Sequence, residues 1–316
     1  METSIHAIAC NKLLILFATI AITGIICSKG SELINIPDVV LFLIVGIFLG
    51  PSVLQIIDIS QFQLENQLIL TFGSAFILYM GGKEVSLKVL KNVKISVFLL
   101  STLGVVITSF LMAKLIGLNF QISFMTCLLA GSIIASTDPA TIVPIFNQVK
   151  IDKKVKQTVI SESALNDATG AIMTVAVLSI IMGGKFSIQQ NIYSLCIMII
   201  VGIMVGLITG LVLLFLVNDS PKGIFKDYTP IISILSVIIA YELSTYLGGS
   251  GYMSCFIVGL VTGNKQNFKL WLSQKHYDAD CHVAETVGTI CRMCIFIILG
   301  SQVQLDVLFK FLCNFN

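Results

Sequence analysis

Charge is scarce in this chain: only 11% of its 316 residues are Asp, Glu, Lys or Arg, where a soluble domain carries roughly 25%. Apolar residues make up 56% and the mean hydropathy is +0.97. No water-soluble fold hides that much apolar surface, so a soluble enzyme or a nucleic-acid-binding module is excluded. The net charge of +2 points to no charged partner. Arginine is scarcest of all, with Arg292 the single example. Nine cysteines are present, but Cys127, Cys196 and Cys255 sit inside apolar runs and no spaced disulfide framework exists. Cys291 and Cys294 form a C-x-x-C within an apolar run and read as small hydrophobes. A cleavable leader is also missing from the pattern. Glu2, His6 and Lys12 precede the first apolar run, which has no small-residue cleavage site, so that run is expected to stay as an anchor.

What is present is a succession of long apolar runs, at about 13–28, 37–57, 66–82, 95–117, 121–148, 157–183, 191–218, 228–247, 251–263 and 283–303. Helices of about 20 residues cross a hydrocarbon core of about 30 Å. The expectation is an all-α polytopic membrane protein of about ten spans, forming a single transmembrane domain over residues 1–316 in contact with lipid. Lysines give an independent check, because positively charged loops stay in the cytoplasm. Fourteen fall in odd-numbered loops, among them Lys83, Lys88, Lys150, Lys154 and Lys265, and only Lys114 and Lys185 in even-numbered ones. That alternation places the N-terminus outside a cell membrane of the bacterial inner-membrane type. Gly202, Gly206 and Gly210, like Gly46 and Gly50, recur every fourth residue and read as close helix packing or a dimer contact, and a homodimer is expected. Residues 264–282 read as an interfacial segment in which His276 and His282 are solvated; His6 carries no signal.

Two stretches carry the chemistry. In Ala-Ser-Thr-Asp-Pro-Ala-Thr-Ile-Val-Pro, residues 135–144, a carboxylate and two prolines interrupt an apolar helix. Pro139 and Pro144 have no N–H to donate, and Asp138, preceding a proline, is pushed toward extended geometry. Freed carbonyls at membrane depth need protein or a polar cavity around them, and they suit a hard cation. The next span reads Ser161-Glu162-Ser163-Ala164-Leu165-Asn166-Asp167. Ser163 and Asp167 share one helical stripe and Glu162 and Asn166 the adjacent one, so Ser163, Asn166 and Asp167 are expected to converge on one ligand.

Depth sharpens this. Asp138 lies twelve residues before Lys150 and Asp167 eleven after Lys156, roughly 18 and 16 Å from the cytoplasmic surface. A short basic loop joins the two helices, which makes them antiparallel neighbours. Ionisable groups at mid-membrane mark functional sites. Against a purely structural pairing stands the shortage of positive charge: Arg292 alone, free to neutralise Glu162 or another acid, cannot balance three carboxylates. A site short of cations suits one that takes a metal cation or protons in competition.

Thr137-Asp138-Pro139 and Glu162-Ser163-x-x-Asn166-Asp167 together resemble the cation:proton antiporter 1 family, the NhaP and sodium/hydrogen exchanger group. Supporting matches are Gly-Gly-Lys-Glu-Val-Ser-Leu at 81–87, Ser-Gly-Tyr-Met-Ser-Cys-Phe-Ile-Val-Gly-Leu at 250–260 and Ile-Phe-Ile-Ile-Leu-Gly at 295–300. The resemblance implies an inverted-repeat fold with an interrupted helix around Asp138. It implies Asp167 as main cation and proton ligand, helped by Asp138, Thr137 and Ser163, with Asn166 shaping the site and Glu162 pairing with an arginine of a later helix. Arg292 lies one span earlier than that arginine. An Asn-Asp pair implies electroneutral exchange and a role in pH homeostasis. The expected cation is Na+, with Li+ and K+ as alternatives, and no cofactor is implied. Met80 stands where many relatives have an acid. Members of the family commonly have about thirteen spans, so the second repeat is expected to be incomplete and the chain truncated.

Three other functions compete. An inactive truncated relative follows from the missing spans. A cation channel wants a continuous polar pore, which the runs do not show. A membrane aspartyl protease wants Gly-x-Gly-Asp, whereas Asp167 follows Ala-Leu-Asn.

Overall fold

The computed structural model describes residues 2–34, 36–57, 62–120, 122–137, 146, 151–182, 188–218, 224–268 and 274–305. Asp138, Pro139, Pro144, Lys150, Lys185 and Trp271 lie outside the described residues. Among those described, all regular structure is helical: α1 (Glu2–Ile34), α2 (Asp38–Leu49), α3 (Gln63–Glu84), α4 (Leu87–Leu99), α5 (Val105–Asn119), α6 (Phe124–Ile134), α7 (Lys153–Ile181), α8 (Ile188–Leu216), α9 (Thr229–Tyr246), α10 (Gly251–Gly263) and α11 (Gln274–Ser301). Five stretches are long and apolar enough to cross a membrane: Asn11–Ile34, Leu87–Asn119, Gln189–Leu216, Lys226–Tyr246 and Lys275–Ser301. Helices α2, α6 and α10 are apolar but shorter. This is a multi-pass helical membrane protein.

Packing divides the chain into two compact units, one of residues 1–74 and 286–316, the other of 75–285, and the chain passes between them inside α3 and inside α11. In the first unit, α2 begins after Pro37, whose fixed φ suits a helix start, and the Asp38 carboxylate accepts from Val39 N at 2.9 Å. It stops at Gly50, held extended (ψ 175°) before Pro51. The run expected at 37–57 is therefore a twelve-residue helix followed by a turn. Ser52 in that turn donates to Val303 O at 2.7 Å and ties it to the end of α11. Gly46 fits against the backbone of Ile297 and Gly300, where any side chain would collide.

The second unit is built around α10. Within it Gly251 and every residue from Met253 to Thr262 are buried, so thirteen residues too short to span a bilayer are enclosed by other helices. Three glycines of α8 make this possible. A Cβ at Gly206 would stand 2.5 Å from Ser254 O, one at Gly202 3.0 Å from Ser250 O, and one at Gly210 3.0 Å from Val261 Cβ. The glycine stripe thus packs α8 on α10 inside one chain rather than serving a second copy. Ser250 caps α10 by accepting from Met253 N (3.2 Å), reached through a turn at Gly248 with φ +77°. At the other end Asn264 donates to Val85 O (2.8 Å) and accepts from Leu87 N (3.0 Å), bridging the break between α3 and α4.

Several helices outrun the expected boundaries. The run at 95–117 belongs to a continuous helical stretch over 87–119, in which Leu100–Gly104 forms a π-turn. There Thr102 and Ser101 donate to Phe98 O (2.6 and 3.2 Å), competing with the backbone ladder. Lys88, Lys91 and Lys94 consequently stand on a helix, not in a loop. Helix α11 starts at Gln274, so His276 and His282, expected in an interfacial segment, are helical, and His276 Nε2 lies 3.4 Å from Asp227 Oδ1. Lys83 departs most from expectation. Placed by its sequence in a polar loop, it lies in the last turn of α3 with its side chain largely covered.

Candidate functional site

Helix α6 opens with Ser123 accepting from Thr126 N at 3.2 Å and closes at Ile134, four residues before Asp138. Ala135, Ser136 and Thr137 are not helical, which fits an interrupted span, and Ser136 and Thr137 turn their hydroxyls to α7 instead of to their own chain. Helix α7 opens with Asp152 capping Lys154 N at 2.7 Å and runs unbroken past Asp167. Ser132 meets Thr174 (3.1 Å), Ser136 meets Asp167 (2.7 Å) and Thr137 meets Ser163 (2.7 Å). Partner numbers fall along α7 as they rise along α6, so the two elements run antiparallel, as the short basic loop requires.

Asn166 is the centre of the site and is fully buried, as is Ser163. Its Nδ2 donates to Thr137 Oγ1 (2.6 Å) and Glu162 Oε1 (2.9 Å), and its Oδ1 accepts from Ser136 Oγ (3.2 Å). An ionised carboxylate only accepts, so the Asn166 amide must turn its NH2 toward Glu162 and its carbonyl toward Ser136. Both hydrogens of the amide are then used, which fixes its orientation. Thr137 Oγ1 also reaches Glu162 Oε2 at 3.5 Å, so Glu162 is held by neutral donors from both elements. Asp167 is half-buried and receives the Ser136 hydroxyl on Oδ1.

Of the residues expected from sequence, Asp167, Asn166, Ser163, Thr137 and Glu162 are gathered here, while Asp138 lies outside the described residues. Arg292 belongs to the first unit, where its Nη2 donates to Thr289 Oγ1 at 3.0 Å and the Asp38 carboxylate acts on it electrostatically. Cys291 and Cys294 are free, buried thiols. Ser136 was not singled out by sequence. The signal that finds it is its position one residue before Thr137-Asp138, on the segment already marked as non-helical by Pro139.

A carboxylate with amide and hydroxyl oxygens offers the kind of donors that hard cations take, and the described structure around it is that of an all-helical membrane protein. The match to known proteins gives the family. The model of the family described as Sodium/hydrogen exchanger, transmembrane, matches residues 15–316, and the chain belongs to that family. A probable Na(+)/H(+) antiporter of Methanocaldococcus jannaschii is 28% identical over 307 residues, covering 91% of this chain and 68% of that protein. The K(+)/H(+) antiporter NhaP2 of Shewanella oneidensis is 27% identical over 297 residues, covering 92% of this chain and 49% of that one. Among solved structures, the sodium proton antiporter MjNhaP1 of M. jannaschii at pH 8 aligns over 95% of this chain and 75% of its own, with a TM-score of 0.74 at 25% identity.

Proposed function

We propose that the chain exchanges Na+ for protons across the cell membrane, electroneutrally, at a site formed by Asp167, Asp138, Ser163, Thr137 and Asn166, with Glu162 and Arg292 in support. The observation that carries this reading is a chain of contacts where α6 has ended and α7 passes by: Ser136 meets Asp167, and the next residue, Thr137, meets Ser163 and Asn166. Oxygen donors at membrane depth, next to irregular backbone, are what an alkali cation requires in place of its water shell. One carboxylate cannot comfortably hold a proton and a cation together, so occupancy is exclusive and a gradient of either drives the other. Alternating exposure of the loaded site to the two faces completes the cycle.

The same proposal includes one transport domain over residues 1–316, about ten spans in an inverted-repeat arrangement, an outward N-terminus and a homodimer. The dimer contact must use a face other than the α8 glycines, which α10 already covers. K+ is the second reading of the cargo, favoured by the relatives named K(+)/H(+) antiporter.

Everted vesicles containing the inserted protein test the proposal. Proton release is expected on adding Na+ and is expected to be lost in Asp167→Asn with insertion unchanged. No proton release with Na+, Li+ or K+ from correctly inserted protein would refute exchange by this chain and favour an inactive relative. Exchange surviving in Asp167→Asn would remove Asp167 from its role.

A further inference from the structure

Lys88, Lys91 and Lys94 are exposed and stand on one flank of α4. At about 100° per residue, Lys88, Lys91, Ile95 and Phe98 fall on a single stripe, with Lys94 and Leu99 to either side of it. Ile95, Phe98 and Leu99 are exposed as well. The opposite flank is packed: Leu90 rests on the apolar core of the second unit and Val97 is buried. At the start of the helix Leu87 joins the same core, and its N–H is held by Asn264 Oδ1 at 3.0 Å. A helix anchored in this way cannot roll. Its lysines and its exposed apolar side chains therefore share one fixed outward face.

That face crosses the edge of the bilayer. The continuous helical stretch Leu87–Asn119 has 33 residues and is about 50 Å long, well beyond a hydrocarbon core of about 30 Å. No charged residue lies between Lys94 and Lys114, which are twenty positions apart, a rise of about 30 Å. These two lysines mark the ends of the apolar crossing. Lys91 then stands about 4.5 Å and Lys88 about 9 Å further out, at the depth of phosphates and headgroups. Ile95, Phe98 and Leu99 lie just inside, at the depth of the first acyl carbons. Helix α4 contains no acid, and the nearest one along the chain, Glu84, is engaged by Lys156 at 2.7 Å. Three cations without a neighbouring acid thus sit directly above apolar side chains, and their long stems reach the interface along that same surface.

We propose that this flank of α4 binds an anionic phospholipid of the surrounding bilayer: Lys88, Lys91 and Lys94 hold its phosphate, and one acyl chain lies along Ile95, Phe98 and Leu99. Charge complementarity selects the headgroup. The apolar run beneath the lysines selects a lipid over a free phosphate, which has no use for it. The site is separate from the cation site, but α4 packs against α7, so only α4 stands between the bound lipid and the helix that carries Asp167.

Thermal unfolding of the full chain in detergent, with added phosphatidylglycerol or phosphatidylcholine of the same acyl chains, tests this without any need for transport. Phosphatidylglycerol is expected to raise the unfolding temperature of the wild type more than phosphatidylcholine does, and by less at high salt. Combining Lys88→Gln, Lys91→Gln and Lys94→Gln is expected to remove most of that difference and to raise the phosphatidylglycerol concentration for half the shift at least about tenfold. Arginine at the same three positions keeps the charge and should keep the difference. So should Lys153→Gln with Lys154→Gln, which removes two exposed lysines from the start of α7. Glycerol phosphate, a headgroup without acyl chains, should give no shift. Each reading compares two lipids within one variant, so a lower baseline stability does not mask it. Equal shifts by the two lipids in the wild type, or a full difference in the glutamine variant, overturn the proposal. An equal loss in the Lys153 and Lys154 variant overturns it in favour of general charge attraction, and a shift by glycerol phosphate matching that of the lipid overturns it in favour of a free-anion site.

Discussion

Lys83 Nζ lies 2.6 Å from Asp280 Oδ2, and the two side chains are only 8% and 5% exposed. The pair joins the end of α3 to α11 within the second unit, and the ammonium lies 5.5 Å from the Tyr79 ring centre and 5.3 Å from that of Tyr277. Desolvating two charges offsets much of their attraction, so the pair itself adds little stability. Removing one member, however, strands the other charge in a dry place. Lys83→Met or Asp280→Leu should each destabilise the protein by about 3–5 kcal/mol. The double variant should recover most of that loss, since two apolar side chains replace the pair. Thermal unfolding of the four proteins in detergent checks it, and single variants as stable as wild type would show that the pair is not desolvated.

Glycine substitutions should sort by what a Cβ would meet. At Gly206 it would stand 2.5 Å from Ser254 O and 2.7 Å from Ile257 Cβ, so Gly206→Ala forces α8 from α10 and should cost about 1–3 kcal/mol. At Gly104 the nearest atom is Leu99 O at 4.0 Å. Gly104→Ala should therefore be neutral or stabilise by about 0.4–1 kcal/mol through the unfolded chain. Unfolding temperatures in that order support the intramolecular role of the stripe. Dissociation of a dimer on Gly206→Ala, with no loss of monomer stability, would reassign the stripe to an interface between copies.

Much of this was legible in the sequence, and the gaps have physical causes. Period and spacing placed Ser163, Asn166 and Asp167 on one side of a helix, because helix geometry fixes which residues share a face. The short loop fixed the antiparallel register that now pairs Ser136 with Asp167 and Thr137 with Ser163. The run at 251–263 coincides with α10, bounded as it is by Ser250 and Asn264, which cap it. Lys83 was misplaced because charge is read as solvated unless a partner is known, and its partner is 197 residues away. Ser136 was missed because a serine in a membrane helix ordinarily bonds back to its own chain, and only the end of α6 frees this one. The boundaries at 95 and 283 erred because helices continue beyond the apolar core through lysines, histidines and acids that favour helix as readily as apolar residues do.

Asn166→Asp replaces only the amide NH2 by an oxygen and should have large effects. The amide hydrogens that now reach Glu162 Oε1 at 2.9 Å and Thr137 Oγ1 at 2.6 Å would be replaced by carboxylate oxygen. Two carboxylates would then face each other at hydrogen-bond distance, and one must take up a proton or move away. The expected outcome is a loss of about 2–4 kcal/mol in stability near neutral pH and exchange reduced at least tenfold. Glu162→Gln in the same background should restore part of the stability, because a carboxamide can donate to the new acid. Failure of that rescue would mean that Glu162 and Asn166 are not energetically coupled.

If Asp167 holds either a proton or a cation, pH must act on apparent cation affinity and not on the capacity of the site. Protonation removes the ligand, so lowering the pH should raise the half-saturating Na+ concentration, by about tenfold for each unit once the carboxyl is mostly protonated. Raising the pH should lower that concentration to a constant value. With the pH of the opposite side held fixed, the maximal rate at saturating Na+ should stay level, because enough cation displaces the proton on the side where it is added. Exchange measured in everted vesicles at several fixed internal and external pH values, with Na+ varied at each, gives both quantities. A fall in maximal rate at constant half-saturation would mean that protons act at a group apart from the cation site, and exclusive occupancy of Asp167 would be refuted.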